Sequence, residues 1–410
     1  MTTEAGRAEQ LPDGAVLVHI GPHKTGTTAV QAALWGARDE LRRQGVRLAG
    51  GSRNPASAVR AITGQVSPYA DDGRVPPMWR WRRLAGEVRR ARLGRVVVSS
   101  EFFAWAAPQA IARIVDELGS DRVRIVVTLR PLARIIPSMW QQNVQAGTTA
   151  TLDDWLRLVL RKTDGAPRNP FWTLERHDEL IDRWAAVVGP HRVHAVVADE
   201  RDHGFVLRAF ETLLGLAAGS LAAQPDFANR SLTLPEVEAV RAFNVAFQAE
   251  HLPRGLHARL MRFGAAQELK RRVPPPDEAR VAFPAWAADE VAGIQRSIIE
   301  GIRRSGIVVI GDLDQLAQSV AGRAGEFPEV PVPASVAAAL GMGLLVASGE
   351  ARRGRRRIGR PHIAEPIEIA GVPTYQVAAV LVLRAWRRVG RIVDTFLVRV
   401  RIRRGPGPQE

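Results

Sequence analysis

The sequence predicts an α/β protein built on a mainly parallel sheet with helices on both faces. Three observations carry that prediction. Short apolar runs at residues 15–20, 95–99, 123–129 and 192–197 recur with helix-length segments between them. The first run enters a glycine-containing turn, GPHKTGTT at residues 21–28, and a helical stripe follows it. Residues suited to chemistry then gather just past the strand ends, where parallel sheets bind their ligands.

Residues 15–20, AVLVHI, are apolar except for His19 and too short for a helix, so they read as a buried strand. After the turn, Val30, Ala33, Leu34, Ala37 and Leu41 share one helical face, and Gly45 ends the stretch. Residues 50–78 hold several Gly and Pro and no clear period. They read as irregular structure and as a candidate part of an acceptor site. A basic helix is predicted over 79–92. The strand at 95–99 carries Ser100, Glu101, Phe102 and Phe103 at its carboxyl end, and a helix follows near 109–118. The strand at 123–129 runs into Arg130, then a helix over 131–144. Pro131 suits its first turn, whereas Pro137 is expected to kink or break it. Helices near 152–162 and 174–188 precede the strand at 192–197, and another spans 205–214.

From about residue 233 the pattern is helical, and Pro328, Pro331 and Pro333 mark a boundary. The expected organisation is a disordered tail over 1–14, an α/β domain over 15–325, and a basic, partly helical extension over 326–410. Residues 330–348 carry no charge. By length they could span a membrane, but a buried or docked helix is the expectation.

A chain of 410 residues can bury a substantial core, and its 46% hydrophobic and 24% charged residues are ordinary for a globular protein. It has no cysteine, which excludes disulfides, thiol catalysis, Cys-ligated zinc and iron–sulfur ligation. Residues 1–14 lack the apolar core of a signal peptide. The net charge of +15 is uneven: residues 351–410 hold fourteen arginines against Glu365, Glu368, Asp394 and Glu410. Such a tail suits anionic lipid, anionic polysaccharide, nucleic acid or a merely solvated surface. Within it Val382, Trp386, Val389, Val393, Phe396 and Val400 form one apolar helical stripe with arginines between. That pattern predicts either an interfacial helix on anionic membrane or a helix packed on the body.

Lys24 is one of three lysines, with Lys162 and Lys270; all other cationic side chains of fixed charge are arginines. A compact ammonium inside a glycine turn, ahead of a helix N-terminus, suits an anion such as phosphate. The order is not that of a nucleotide-triphosphate loop, where lysine follows the second glycine. Here Lys24 precedes Gly26, and Thr27 and Thr28 follow.

The K-x-G-T-T order resembles the phosphosulfate-binding loop of sulfotransferases that use 3′-phosphoadenosine 5′-phosphosulfate (PAPS). The segment VTLRPLARIIPSMW puts Arg130 at a strand end and Ser138 on the next helix, which resembles the element that holds the donor's 3′-phosphate. Asn229-Arg230-Ser231-Leu232 resembles a segment of bacterial sulfotransferase-like proteins that closes over the nucleotide; a helix cap at Ser231 or Thr233 is the plainer reading. The resemblance, to the PAPS-dependent superfamily and its bacterial branch, covers roughly residues 15–320. It implies a three-layer fold related to nucleotide kinases and transfer of a sulfonate to an acceptor hydroxyl or amine, with no metal required. Donor contacts are implied at Gly21, Lys24, Thr25, Gly26, Thr27, Thr28, Arg130, Ser138, Asn229, Arg230 and Ser231. Two departures are His23 before the lysine and Ala29 after the threonines, where relatives carry other residue types.

Glu101 is the candidate base, since related carbohydrate enzymes use a glutamate in a comparable place. Phe102 and Phe103 would desolvate it, which suits a general base. His23 and His177 stand in reserve. The acceptor is expected to be a small molecule or carbohydrate, including glycolipid, and nucleic acid is not expected. An intracellular donor implies a cytoplasmic location, with the tail as a peripheral contact to the inner membrane face. Two other readings remain open: a P-loop-type kinase, which would want an acid where Arg130 stands, and an inactive sulfotransferase fold serving as a membrane-associated scaffold.

Overall fold

The computed structural model describes residues 9–66, 73–160, 169–224, 230–318 and 330–349. A six-stranded, all-parallel sheet forms the centre: β1 (Val16–Gly21), β2 (Val46–Leu48), β3 (Arg95–Ser99), β4 (Val123–Leu129), β5 (Val193–Val197) and β6 (Val308–Ile310). The order is β2-β3-β1-β4-β5-β6. The chain leaves β1 for β2, returns to β3, then crosses β1 to continue from β4. Strand order therefore reverses beside β1, and the carboxyl ends of β1, β3 and β4 adjoin. That reversal is where open α/β sheets leave a crevice for ligands.

The first ten helices are α1 (Thr27–Gly36), α2 (Arg38–Arg43), α3 (Ala56–Thr63), α4 (Trp79–Arg90), α5 (Pro108–Leu118), α6 (Leu132–Gln145), α7 (Leu152–Leu160), α8 (Pro170–Glu175), α9 (His177–Val188) and α10 (Phe205–Leu214). Alternation along the strands divides them between two layers. Val16, Val18, Ile20, Val98 and Val127 face the layer of α4, α5, α6 and α9, while Leu17, Val97, Val126 and Val196 face α1 and α10. Burial on both faces explains why β1, β3 and β5 read as mainly apolar runs. Phe103 sits in the first layer, edge-to-face with Trp81 and Trp184 at 6.3 and 6.2 Å. After α10 come α11 (Leu234–Ala249), α12 (Arg254–Leu260), α13 (Ala266–Arg271) and α14 (Ala285–Arg304) before β6, and α15 (Ala334–Ser348) after it, with Met261–Ala265 π-helical between α12 and α13.

Several expectations need correction. β2 and β6 were not legible, because three residues are too few to show a period. The stretch after the turn is two helices broken at Ala37, not one. Residues 50–66 include α3, whose Ala58, Val59, Ala61 and Ile62 are buried. α6 continues through Pro137, held by the buried Ile136, Trp140 and Val144. Residues 9–14 are not a loose tail: Leu11 is buried, its N–H donates to Leu213 O at 2.9 Å, and its carbonyl accepts from Arg95 Nε at 2.8 Å.

α15 lies in the stretch expected as an extension beyond 325. α15 packs on Met261–Ala265 through glycine: a Cβ on Gly264 would lie 1.9 Å from Gly343 O. Among the described residues no helix is long and apolar enough to cross a membrane. The tail stripe from Val382 to Val400, and Lys162 and Asn229, lie outside the described residues.

Candidate functional site

The turn between β1 and α1 winds through left-handed backbone at Gly21 (φ 86°), Lys24 (φ 64°) and Gly26 (φ 95°). Gly21 is required twice over, because a Cβ there would also meet Glu101 Cα and Cβ at 3.1 Å. Lys24 has no such licence, and its conformation costs about 1–2 kcal/mol. A polar chain beneath the turn holds that shape. Thr25 and Thr27 hydroxyls donate to Pro22 O at 2.8 and 3.0 Å. Thr25 Oγ1 lies 2.7 Å from Thr128 Oγ1, which lies 3.3 Å from His19 Nε2, and His19 Nδ1 lies 2.8 Å from Ser99 Oγ. With the Thr25 proton on Pro22, a consistent set has Thr128 donating to Thr25, His19 Nε2 to Thr128, and Ser99 to His19 Nδ1. That set requires neutral His19, and full burial lowers its pKa to about 3.

The hydroxyls of Thr25 and Thr27 are thus spent inside the turn, so a ligand would meet only their N–H groups. Among the described residues, the N–H groups of Lys24, Thr25, Gly26, Thr27 and Thr28 donate no hydrogen bond. Gly26 and Thr28 are exposed. The result is a row of open donors at the start of α1. Burial, then the ammonium of Lys270 on α13, lower the Lys24 pKa to about 8.

Glu101 opens the 3₁₀ turn that follows β3. Its Oε2 accepts from Asn54 Nδ2 at 2.8 Å and from Gln31 Nε2 at 3.1 Å, so two neutral amides orient the carboxylate. Phe102 stays at the site: His23 meets its edge at 5.5 Å, and the Arg60 guanidinium stacks on its face at 3.9 Å. Phe103 turns into the core instead, so only one of the two aromatics shields this corner. Burial lowers the His23 pKa; Glu101 opposes that, while Lys24 and Arg60 add to it. A neutral imidazole therefore stands beside a carboxylate, next to an ammonium.

Arg130 lies at the end of β4, as expected, with its guanidinium on Glu200: Nε to Oε1 at 2.6 Å and Nη2 to Oε2 at 3.1 Å. Hydrogen bonding from Arg130 holds Glu200 below the usual carboxylate range. Ser138 is half-buried two turns into α6. The start of α6 is pinned from α14, where buried Gln295 accepts from Leu132 N–H at 2.8 Å.

Three other candidates have protein partners of their own. Arg230 forks onto buried Glu236, both contacts at 2.7 Å, and also donates to the carbonyls of Leu269 and Lys270. Ser231 offers its carbonyl to Arg230, while Thr233 caps α11, its N–H donating to Glu236 Oε2 at 2.9 Å. His177 is fully buried, with Nε2 at 3.3 Å from the buried Glu175 Oε2, where no acceptor could reach it.

Sequence reasoning missed Gln31, Asn54, Arg60, Glu200 and Lys270. Gln31 stands among apolar residues on the inner face of α1, and that signal was readable. Asn54 and Arg60 come from the stretch without a period. Glu200 and Lys270 reach the corner from far along the chain. Chemically, the assembled site can hold an anion on the open N–H row and Lys24, and can accept a proton beside it at Glu101 or His23.

No protein-family profile matches the chain, and no curated protein matches it. Among solved structures it is similar to the crystal structure of a sulfotransferase from Alicyclobacillus acidocaldarius. Identity is 18% and the TM-score 0.35, over 58% of this chain and 96% of that one. So low a score leaves the chemistry to the site geometry alone.

Proposed function

We propose that the chain is a sulfotransferase that moves a sulfonate group from PAPS to an acceptor hydroxyl, such as one of a carbohydrate, a glycolipid or a small molecule. The observation that carries the reading is the turn itself. Five open N–H groups and Lys24 stand at the end of β1, with Glu101 beyond β3 on one side and Arg130 beyond β4 on the other. Gly21, Gly26 and Thr28 bring the backbone close to the 5′-phosphosulfate, and Lys24 meets the bridging oxygen. Arg130 and Ser138 take the 3′-phosphate, with Glu200 giving way to it.

In the reaction the acceptor oxygen attacks sulfur in line, the new O–S bond forms, and the sulfur–oxygen bond to the phosphate breaks. Glu101 takes the acceptor proton, with His23 as the second candidate on the same corner. Negative charge grows on the departing phosphate oxygen, where Lys24 and the N–H row are already oriented. Arg60 and Asn54, beside Glu101, are placed to border the acceptor.

Calorimetric titration tests the donor class. The product, adenosine 3′,5′-bisphosphate, and PAPS should bind without magnesium and more tightly than adenosine 5′-phosphosulfate. Tight ATP–magnesium binding with no response to the bisphosphate would replace the reading with a kinase. No response to either nucleotide would leave a scaffold.

A further inference from the structure

The amino edge of the sheet, at the opposite end of the strands from Lys24, holds a second pair of cations. β4 and β5 run parallel, with Ile125 beside Val193 and Val126 beside His194. Arg124 and Arg192 each stand one residue ahead of the first of these pairs, so they begin neighbouring strands side by side. Such strands lie about 4.8 Å apart. Two charges of one sign rooted that closely repel unless opposite charge comes between them.

The fold brings neutral partners to this pair rather than acids. Arg192 Nη1 donates to Ser120 O at 2.8 Å, and Arg124 Nη1 donates to Asp121 O at 2.9 Å and to Val123 O at 3.0 Å. Among the described residues no carboxylate is in ion-pair contact with either guanidinium. Burial and then Arg192 push the Arg124 pKa down, and the Asp121 carboxylate opposes them without reversing the shift. Arg192 Nε is buried and has no acceptor, which costs free energy. Val126 is two residues past Arg124 and stands beside His194, so the imidazole and Arg124 leave the sheet on one face. The imidazole is 8% exposed, and its Nδ1 has no partner. Burial lowers its pKa and the Arg124 charge adds to that, so the ring is neutral.

We propose that Arg124, Arg192 and His194 form a binding site for a small tetrahedral oxyanion, phosphate or sulfate, either free or as the end group of an ester. A planar guanidinium fork suits two oxygens of such an ion. The ion screens the repulsion between the two arginines, gives Arg192 Nε its acceptor, and takes a hydrogen bond from His194 Nδ1. Both guanidiniums are only half-buried, so the ion enters from solvent. Once seated, it ties the starts of β4 and β5 to the turn at 120–123. The site lies at the other end of the strands from the nucleotide corner, so it stands or fails separately from the reaction proposed above.

The test follows the ring-proton resonances of the nine histidines in the full chain while inorganic phosphate replaces chloride at constant ionic strength. His194 is assigned by the signal that His194→Gln removes. Its resonance should move saturably with phosphate. Arg192→Gln should weaken that response at least about tenfold, the effect of losing a charged hydrogen bond. Arg124→Lys, which keeps the charge and loses the fork, should weaken it severalfold. Melting curves give a second readout, and phosphate should raise the Tm of the parent more than that of Arg192→Gln. Glycerol 3-phosphate acting like phosphate would mark a site open to esters, and phosphate acting alone would mark one closed around the free ion; either supports the proposal. A His194 resonance that does not respond, or responds equally in Arg192→Gln, would overturn it. So would the same Tm difference between parent and Arg192→Gln in chloride and in phosphate, because the arginine would then serve only its bond to Ser120.

Discussion

Two cation-rich corners of this molecule use the same residue types to opposite ends. At the start of α11, Arg230 and Arg272 face Glu236 and Glu278, and every one of these side chains has its counterion. Burial works against ionised Glu236, but the Arg230 fork, the Thr233 N–H and Arg272 together hold it below the usual carboxylate range. Charge is balanced there, and the set ties a loop to two helices. At the carboxyl edge of β1, Lys24 and Arg60 gather around one carboxylate, Glu101, with five N–H groups open and a second ammonium, Lys270, within electrostatic reach. The half-buried Lys24 beside N–H groups that have no acceptor makes that corner the candidate place for an anion. Arginine at a loop is therefore a poor signal by itself.

The comparison breaks most sharply at Glu101. Glu101→Gln keeps the shape of the corner and removes the proton acceptor. It should cut the single-turnover rate by about 10²–10⁴-fold while PAPS affinity stays the same. A variant that turns over normally, together with an inactive His23→Ala, would move the base to the imidazole.

Lys24→Ala should lower turnover by about 10²–10³-fold, the effect of losing one preoriented donor at the departing oxygen. The pH dependence sharpens this. With Lys24 titrating at about 8, its charge is present below that pH and lost as pH rises through it. Bisphosphate affinity should therefore fall on the alkaline side of pH 8, and Lys24→Arg, though impaired, should show no such fall. An identical alkaline limb in both proteins would detach it from Lys24.

The clamp should respond in the opposite sense. Arg230→Met leaves buried Glu236 with Arg272 alone, and should cost about 3 kcal/mol of stability, the low end for breaking a buried pair. Denaturant unfolding reads that loss, and the folded fraction should bind the bisphosphate as the parent does. A selective loss of nucleotide affinity at unchanged stability would put Arg230 back in the donor site.

The smallest effect is expected at Glu200. Because it occupies the Arg130 fork, Glu200→Gln should strengthen bisphosphate binding severalfold, on the order of 1 kcal/mol. Adenosine 5′-phosphosulfate, without a 3′-phosphate, should be indifferent. If the bisphosphate binds more weakly instead, the ion pair positions Arg130 rather than competing for it.

Legibility followed physical reach. The strands at 16–21, 95–99, 123–129 and 193–197 were readable because a parallel sheet covered on both faces demands long apolar runs. The turn was readable because only glycine suits Gly21 and Gly26, and the lysine between them is rare in this chain. Thr25 and Thr27 were identified correctly as loop residues, yet their hydroxyls point inward. The code for a phosphate-cradling turn names the residues and not which of their atoms remain open. That Glu200 occupies the Arg130 fork was not readable, because Glu200 is seventy residues further on.

By itself the sequence determined the α/β class, the central strands, the turn with Lys24, and the placement of Glu101 and Arg130 at strand ends. These follow from local backbone preference and from alternation over a few residues, which one stretch of chain contains entirely. Only the tertiary structure decided which partners these residues meet. It brought Asn54 and Gln31 onto Glu101, stacked Arg60 on Phe102, closed Arg230 with Glu236, and set His19 as a neutral strut under the turn. Each of these depends on partners distant in sequence, and Coulomb and packing energies depend on separation in space, which no local pattern records.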